Sequence, residues 1–161
     1  MVFGSAATDL VAEDKNACDD LFLRDRKKRV TRLITRAVGG GPTNGCSQAV
    51  GLIPDGRYLL FVSQATNLGP DLGGATAPQL DRLDLATGHV RLVGRNDGGE
   101  AAHAGPGREA GISNDGRVVA FWSNATNLVP NDTNGASDVF VRWLGQRHDR
   151  EERSAETAAA D

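Results

Sequence analysis

The chain of 161 residues has few cysteines, few aromatic side chains and no long apolar run. Two cysteines, Cys18 and Cys46, are too few for a disulfide scaffold or a four-cysteine zinc site. One bridge between them is an alternative, but we expect two buried or reduced thiols. No stretch approaches the roughly 20 apolar residues of a membrane helix, and no basic segment followed by an apolar one opens the chain, so neither a membrane span nor an export signal is predicted. A net charge of −3 gives no electrostatic footprint for nucleic acid.

Glycine, by contrast, is abundant. The 20 glycines and 6 prolines predict many turns, which disfavours long helical bundles. Hydrophobic residues make up 39% of the chain, enough to fill a core, so wholesale disorder is not expected. The length is that of one ordinary domain.

The sequence repeats itself at intervals of about 60 residues, the first feature to look for in a repeat fold. One block occurs three times, as Phe3-Gly-Ser-Ala-Ala-Thr-Asp-Leu10, Phe61-Val-Ser-Gln-Ala-Thr-Asn-Leu68 and Phe121-Trp-Ser-Asn-Ala-Thr-Asn-Leu128. A block upstream matches Gly51-Leu-Ile-Pro-Asp-Gly-Arg57 with Gly111-Ile-Ser-Asn-Asp-Gly-Arg117. A block downstream matches Asp20-Leu-Phe-Leu-Arg24 with Asp138-Val-Phe-Val-Arg142 and, more loosely, with Pro78-Gln-Leu-Asp-Arg82. Matched blocks in one order make chance an implausible explanation.

Each repeat is predicted to form four short strands, A to D, which in the middle repeat lie near residues 48–53, 57–63, 79–85 and 89–95. Asp-Gly precedes strand B and predicts a type I′ turn, while Gly88 turns the chain between strands C and D. Four antiparallel strands per repeat are typical of a β-propeller blade. A β-sandwich is the alternative, but it has no reason to repeat loop sequences as well as strands.

The repeats divide the chain into an incomplete first blade at 1–36 (strands B, C and D), a second blade at 46–95, an incomplete third blade at 108–145 (strands A, B and C) and a disordered polar tail at 146–161. About two and a half blades cannot close a propeller. We therefore expect a fragment of a longer polypeptide or a homo-oligomer. The same reasoning predicts that apolar side chains stay uncovered at the two ends of the chain: Phe3, Leu21, Leu23, Phe121, Val139 and Val141.

The segment Ile112-Ser-Asn-Asp-Gly-Arg-Val-Val-Ala-Phe-Trp-Ser-Asn-Ala-Thr-Asn-Leu-Val-Pro-Asn-Asp-Thr-Asn-Gly-Ala-Ser-Asp-Val-Phe-Val-Arg142 resembles the TolB-like β-propeller repeat, a WD-repeat-like type. The resemblance covers roughly residues 1–145. It implies an all-β partial propeller and a periplasmic or extracellular location, with a protein partner or further blades of the same propeller. Two departures are Trp143, which follows Arg142 where Asp25 follows Arg24, and the loop at 72–75, which replaces Asp-Thr-Asn-Gly.

No catalytic constellation is visible. The three histidines lack repeated partners, and the Gly-x-Ser-x-Gly motif of a hydrolase is absent. The glycine-rich stretch at 39–45 lacks the Lys-Ser/Thr of a phosphate loop and suits a connection between blades. Seven Arg and Lys residues within 24–36 are expected to be solvated, because no stacking aromatics accompany them.

Two loops carry oxygen ligands at the spacing i, i+2 and i+6, which makes calcium the one candidate cofactor. The third repeat has Asp132, Asn134 and Asp138, with Gly135 at the turn; the first has Asp14, Asn16 and Asp20. The alternative, which we favour, is that these side chains only bond their own backbone in a long turn. The loop of the third repeat is not an EF-hand, because the twelfth position counted from Asp132 is Trp143 rather than Glu.

The sequence thus predicts a non-catalytic β-propeller segment, not an enzyme, that binds a protein or ligand. The alternative is the propeller portion of a larger enzyme, such as an oligopeptidase-like hydrolase with its catalytic domain elsewhere. A third alternative is a remnant without function.

Overall fold

A computed structural model describes residues 1–69 and 77–145. The predicted disordered tail and the altered loop at 72–75 lie outside the described residues. Within them the chain forms strands and turns and no helix, and so no helix long and apolar enough to cross a membrane. The strands are β1 Val2–Ser5, β2 Asp20–Asp25, β3 Val30–Leu33, β4 Ser47–Leu52, β5 Tyr58–Ser63, β6 Gln79–Asp84, β7 Val90–Leu92, β8 Pro106–Ile112, β9 Val118–Ser123 and β10 Asp138–Trp143.

The strands form three antiparallel sheets. The first sheet has the order β1-β2-β3, the second β4-β5-β6-β7 and the third β10-β9-β8. Neighbours in each sheet are consecutive in sequence, which is the up-and-down topology of a propeller blade. Strand β4 lies against β1 and β2, and β8 lies against β4 and β5, so the sheets follow one another side by side. This confirms the predicted all-β partial propeller of antiparallel blades.

Successive sheets pack face to face through two apolar clusters. Alternation along the strands gives each sheet an aromatic face, which carries Phe22, Phe61 or Phe121, and an opposite aliphatic face. Leu21, on the aliphatic face of the first sheet, packs with Phe61. Leu60 and Leu80, on the aliphatic face of the second, pack with Phe121. The aromatic face of one sheet therefore covers the aliphatic face of the sheet before it.

The recurring Ser-x-Ala-Thr-Asn-Leu block ends strand B and enters the core. Ala65 and Leu68 are buried, and so are their counterparts Ala125 and Leu128. The turn is capped by the serine, since Ser63 Oγ accepts the Ala65 N–H at 3.0 Å and Ser123 Oγ accepts the Ala125 N–H at 3.1 Å. The asparagines bridge to the connections that precede strand A: Asn67 Oδ1 accepts the Asn44 N–H and Asn127 Oδ1 accepts the His103 N–H, each at 3.1 Å.

The predicted type I′ turn at Asp-Gly was wrong. That turn requires positive φ at both central residues. Gly56 and Gly116 have φ of 73° and 71°, but neither Asp55 nor Asp115 is among the described residues with positive φ. The aspartates act through their side chains: each Oδ1 accepts the N–H of the arginine two residues on, at 2.8 Å and 3.1 Å.

The loose sequence match of strand C in the middle repeat differs by one residue from the register in the structure. Phe61 faces Asp81 across the sheet, as Phe3 faces Phe22 and Phe121 faces Phe140. Asp81 thus occupies the position of a phenylalanine, and Gln79 that of Asp20 and Asp138. A shift of one residue moves every side chain of a strand to the other face. Arg82 therefore lies on the aliphatic face, unlike Arg24.

Gly116 is a contact point between the second and third sheets. The Arg82 guanidinium lies 4.4 Å from the Tyr58 ring centroid and donates a hydrogen bond to the Gly116 carbonyl. A Cβ at Gly116 would overlap the Tyr58 ring, whereas one at Gly56 would meet open space.

We predict that Gly116→Ala lowers the free energy of unfolding more than Gly56→Ala does. Both substitutions place a Cβ at positive φ, which costs about 1–2 kcal/mol. Only Gly116→Ala adds a clash with Tyr58, worth about a further 1–3 kcal/mol. Urea denaturation of the two variants measures the difference. Equal losses would show that the contact between the sheets has no energetic weight.

Candidate functional site

The loop between β1 and β2 buries two carboxylates with little compensation. Asp14 is 2% exposed and Asp20 is 1% exposed. Among the residues that the structure describes, no hydrogen-bond partner reaches either side-chain oxygen of Asp14 or the Oδ2 of Asp20. Burial raises the pKa of Asp14, and the nearby charge of Asp20 raises it further. The Asn16 backbone N–H acts in the opposite direction, although it is not placed to form a hydrogen bond with either oxygen of Asp14. Three buried oxygen atoms are thus left without a donor.

Threonines from the next segment of chain meet the other oxygen of Asp20. Thr35 Oγ1 donates to Asp20 Oδ1 at 2.8 Å and accepts the Leu21 N–H. Thr43 Oγ1 lies 3.1 Å from the same oxygen and an equal distance from the Gly45 carbonyl, and its single proton serves one of them at a time. The Asn16 amide donates to Thr43 Oγ1 and to its carbonyl, each at 3.1 Å.

The loop before β10 has the same spacing but a different arrangement. The Asn134 amide donates to both oxygens of Asp138, at 3.2 Å and 2.9 Å. Asn134 Oδ1 accepts the Ala136 N–H, and Asn16 Oδ1 accepts the Cys18 N–H in the same way. Both loops therefore contain the predicted side-chain turn. Asp132 and Asp138 are only half-buried, and Asn134 is exposed.

The structure corrects the expectation of reduced thiols, because Cys18 and Cys46 form a disulfide. Cys18 lies in the first loop and Cys46 immediately precedes β4, so the bond joins the first sheet to the second. The Ser47 N–H reinforces it with a 2.7 Å hydrogen bond to the Asp19 carbonyl. Spacing of 28 residues gave no sign that the folded sheets bring the two thiols together.

The disulfide and the hydrogen bonds of this loop hold Ala17 in the left-handed backbone conformation, which alanine rarely adopts. Its φ is 53°, close to the 64° of Gly135 at the equivalent position of the third loop. Such strain persists where the surroundings fix the backbone. Here the disulfide at the adjacent Cys18 and the hydrogen bonds of Asn16 fix it.

Other candidate residues are dispersed. His89 and His103 are exposed on separate loops, and His148 lies outside the described residues. In the described ranges, no three His, Cys, Asp or Glu side chains are close enough to hold a metal together. The stretch at 39–45 connects β3 to β4, and a Cβ at Gly45 would lie 2.6 Å from the Gln64 backbone. Close backbone approach explains this glycine.

Asp81 is another buried carboxylate, and it lies in the middle of a strand rather than in a loop. It is fully buried beside Phe61 and Leu92, and neither of its oxygens bonds to any described residue. Desolvation raises its pKa well above the ordinary value. Where the other sheets have phenylalanine, the second sheet has a buried carboxyl group that bonds to no described residue.

The outer face of the third sheet is exposed and apolar. Strands β9 and β10 contribute Ala120, Trp122, Val139, Val141 and Trp143 to it. Their exposed fractions reach 64% at Val141 and 71% at Trp143. Trp122 faces Val139 across the strands, and Ala120 faces Val141, so the side chains form one continuous surface.

Sequence reasoning missed Thr35 and Thr43. Neither belongs to the spaced Asp-Asn motif, and both lie in segments that reach Asp20 only after β3 has paired with β2. A lone threonine in a sequence gives no signal that it will bond to a distant carboxylate. The fold brings Thr35 and Thr43 to Asp20.

We predict that Cys18→Ser/Cys46→Ser lowers the free energy of unfolding by about 3–4 kcal/mol, because the bond closes a loop with a sequence separation of 28. Urea denaturation of the oxidised chain and the double variant measures the loss. The oxidised chain under a reducing agent is the control and should match the variant; an unchanged midpoint in both would contradict the prediction.

We predict that Asp81→Leu raises the free energy of unfolding by about 1–3 kcal/mol, because it removes an unpaired buried polar group. The folded chain retains the Asp81 proton above the ordinary carboxyl pKa of 3.8, whereas the unfolded chain releases it. Stability of the parent therefore falls as pH rises from that value toward the raised pKa. Asp81→Asn should flatten this slope without the gain. Denaturation in a pH series that starts below the ordinary carboxyl pKa of 3.8 checks both, and a slope unchanged in Asp81→Asn would contradict the assignment.

No protein-family model matches the sequence, and no curated protein matches it either. Among solved structures, the chain is similar to the crystal structure of TolB from Acinetobacter baumannii, with 21% identity and a TM-score of 0.47. The match covers 89% of this chain and 27% of that one, so the chain spans about a quarter of the length of that protein.

Proposed function

We propose that the chain is a non-catalytic binding scaffold. The outer face of its third sheet binds another propeller blade, and a second copy of the chain supplies that blade. One observation carries the proposal. The outer face is equivalent, position by position, to the face of the second sheet that the third sheet already covers.

The register defines that equivalence. Because Phe121 faces Phe140 as Phe61 faces Asp81, Val139 corresponds to Leu80 and Ala120 to Leu60. Leu60 and Leu80 are fully buried under the third sheet, whereas Val139 is 58% exposed. An interface present twice in the chain therefore ends on an uncovered surface of the same kind.

Energetics favour a partner at this surface. A large apolar side chain left in water forfeits about 1.5–3 kcal/mol relative to burial. Of the side chains expected to be uncovered at the ends of the chain, Leu21 and Phe121 are buried against the second sheet, which corrects that expectation. Val139 and Val141 remain exposed, so the need for a partner is concentrated at the third sheet.

The disulfide supports a location in an oxidising compartment, as the resemblance to TolB-like repeats implied. Disulfides persist outside the cytoplasm and are rare in reducing compartments. A periplasmic or extracellular scaffold is the corresponding proposal.

We predict that the purified chain forms assemblies heavier than its 17.0 kDa monomer, with a mass that rises with concentration. Val141→Lys should shift the population toward the monomer, because a charge would be buried in the interface. Light scattering coupled to size exclusion measures the mass.

Val38→Lys is the matched control, since Val38 is 68% exposed and lies outside the outer face. It should leave the mass distribution unchanged. A parent chain that stays a monomer at every concentration would overturn the proposal.

A further inference from the structure

The carboxylate pocket of the first loop, which we define as Asp14, Asn16, Asp20, Thr35 and Thr43, is short of positive charge or proton donors. Its two acidic side chains, Asp14 and Asp20, are buried, with exposed fractions of 2% and 1%. Three of their four oxygens contact no donor in the described part of the chain. Ionised carboxylates buried in this way are costly unless a cation or a strong donor compensates them.

The third loop shows how the same motif satisfies itself without a ligand. There, the Asn134 amide turns back onto Asp138 and bonds to both oxygens. In the first loop, the Asn16 amide turns outward to Thr43 instead. That diversion leaves Asp20 Oδ2 without a donor among the described residues, as both oxygens of Asp14 also are.

The first loop is also prepared for a ligand in a way that the third is not. The Cys18–Cys46 bond and the Ser47–Asp19 hydrogen bond hold it against the second sheet. Preorganisation lowers the conformational cost of binding.

We propose that the carboxylate pocket binds one calcium ion through Asp14 and Asp20, with neutral oxygens of the loop and water completing the coordination. Calcium accepts six to eight oxygen ligands in flexible geometry, which suits two carboxylates among hydroxyl and carbonyl oxygens. Zinc and similar metals prefer histidine or thiolate, and the cysteine nearest the pocket, Cys18, is held in a disulfide. The third loop takes no part.

Affinity should be modest. Ligand charge sets calcium affinity, and two carboxylates place the site in the range of extracellular modules, with a Kd of about 0.1–1 mM. Such a site is filled outside the cell and empty at cytosolic calcium levels.

The experiment measures calcium binding and thermal stability of the full oxidised chain. Isothermal titration with calcium chloride should give one ion per chain. Calcium at ten times its Kd should raise the Tm by about 3–6 °C relative to EDTA, and magnesium should raise it less, because magnesium demands a tighter octahedron.

Asp14→Asn and Asp132→Asn are the matched variants, since they alter the first position of the motif in the two loops. Asp132→Asn should keep the calcium response. Asp14→Asn should lose it, and in EDTA its Tm should equal or exceed that of the parent, because one buried charge is gone.

Two results would overturn the proposal. One is a parent chain whose Tm and titration heat do not respond to millimolar calcium. The other is a response abolished by Asp132→Asn and retained in Asp14→Asn. If Asp14→Asn does not fold, the titration of the parent and of Asp132→Asn still decides, since absence of a one-to-one heat in both rejects the site.

Discussion

Contact between an aromatic face and the aliphatic face of the preceding sheet is the interaction on which the rest of the molecule depends. A three- or four-stranded sheet of this size cannot bury its own side chains, so each sheet needs a neighbour on both faces. Phe61 lies over Leu21, and Phe121 lies over Leu60 and Leu80. The connections, the bridging asparagines and the disulfide all lie where this stacking brings two sheets together.

Much of this stacking was predictable because local sequence and tertiary packing agree. Phe61 and Phe121 begin matching blocks that share Ser-x-Ala-Thr-Asn-Leu, and the repetition of these blocks is enough to locate the strands and the buried leucines. Register was harder to predict. Strand C of the middle repeat aligns by its arginine in sequence, but hydrogen bonding pairs Asp81 with Phe61, and one residue of displacement exchanges the two faces.

The candidate site was likewise predictable from the sequence only in part. Spacing identified Asp14, Asn16 and Asp20, because the motif occurs twice. It gave no means to tell that Asn134 bonds Asp138 while Asn16 bonds Thr43. That difference arises from Thr43 and Cys46, which lie beyond β3 and reach the loop only after two sheets have stacked. Identical motifs therefore acquire different chemistry from their tertiary surroundings.

The disulfide also changes the covalent topology of the chain. It closes residues 18–46 into a ring that contains β2, β3 and the glycine-rich connection to β4. A protease that cuts once within this ring opens it but releases no fragment, since the two sides stay joined through sulfur. The exposed turn of basic residues at 26–29, an obvious target for trypsin-like enzymes, lies inside the ring, so cleavage there leaves one covalent molecule until the bond is reduced.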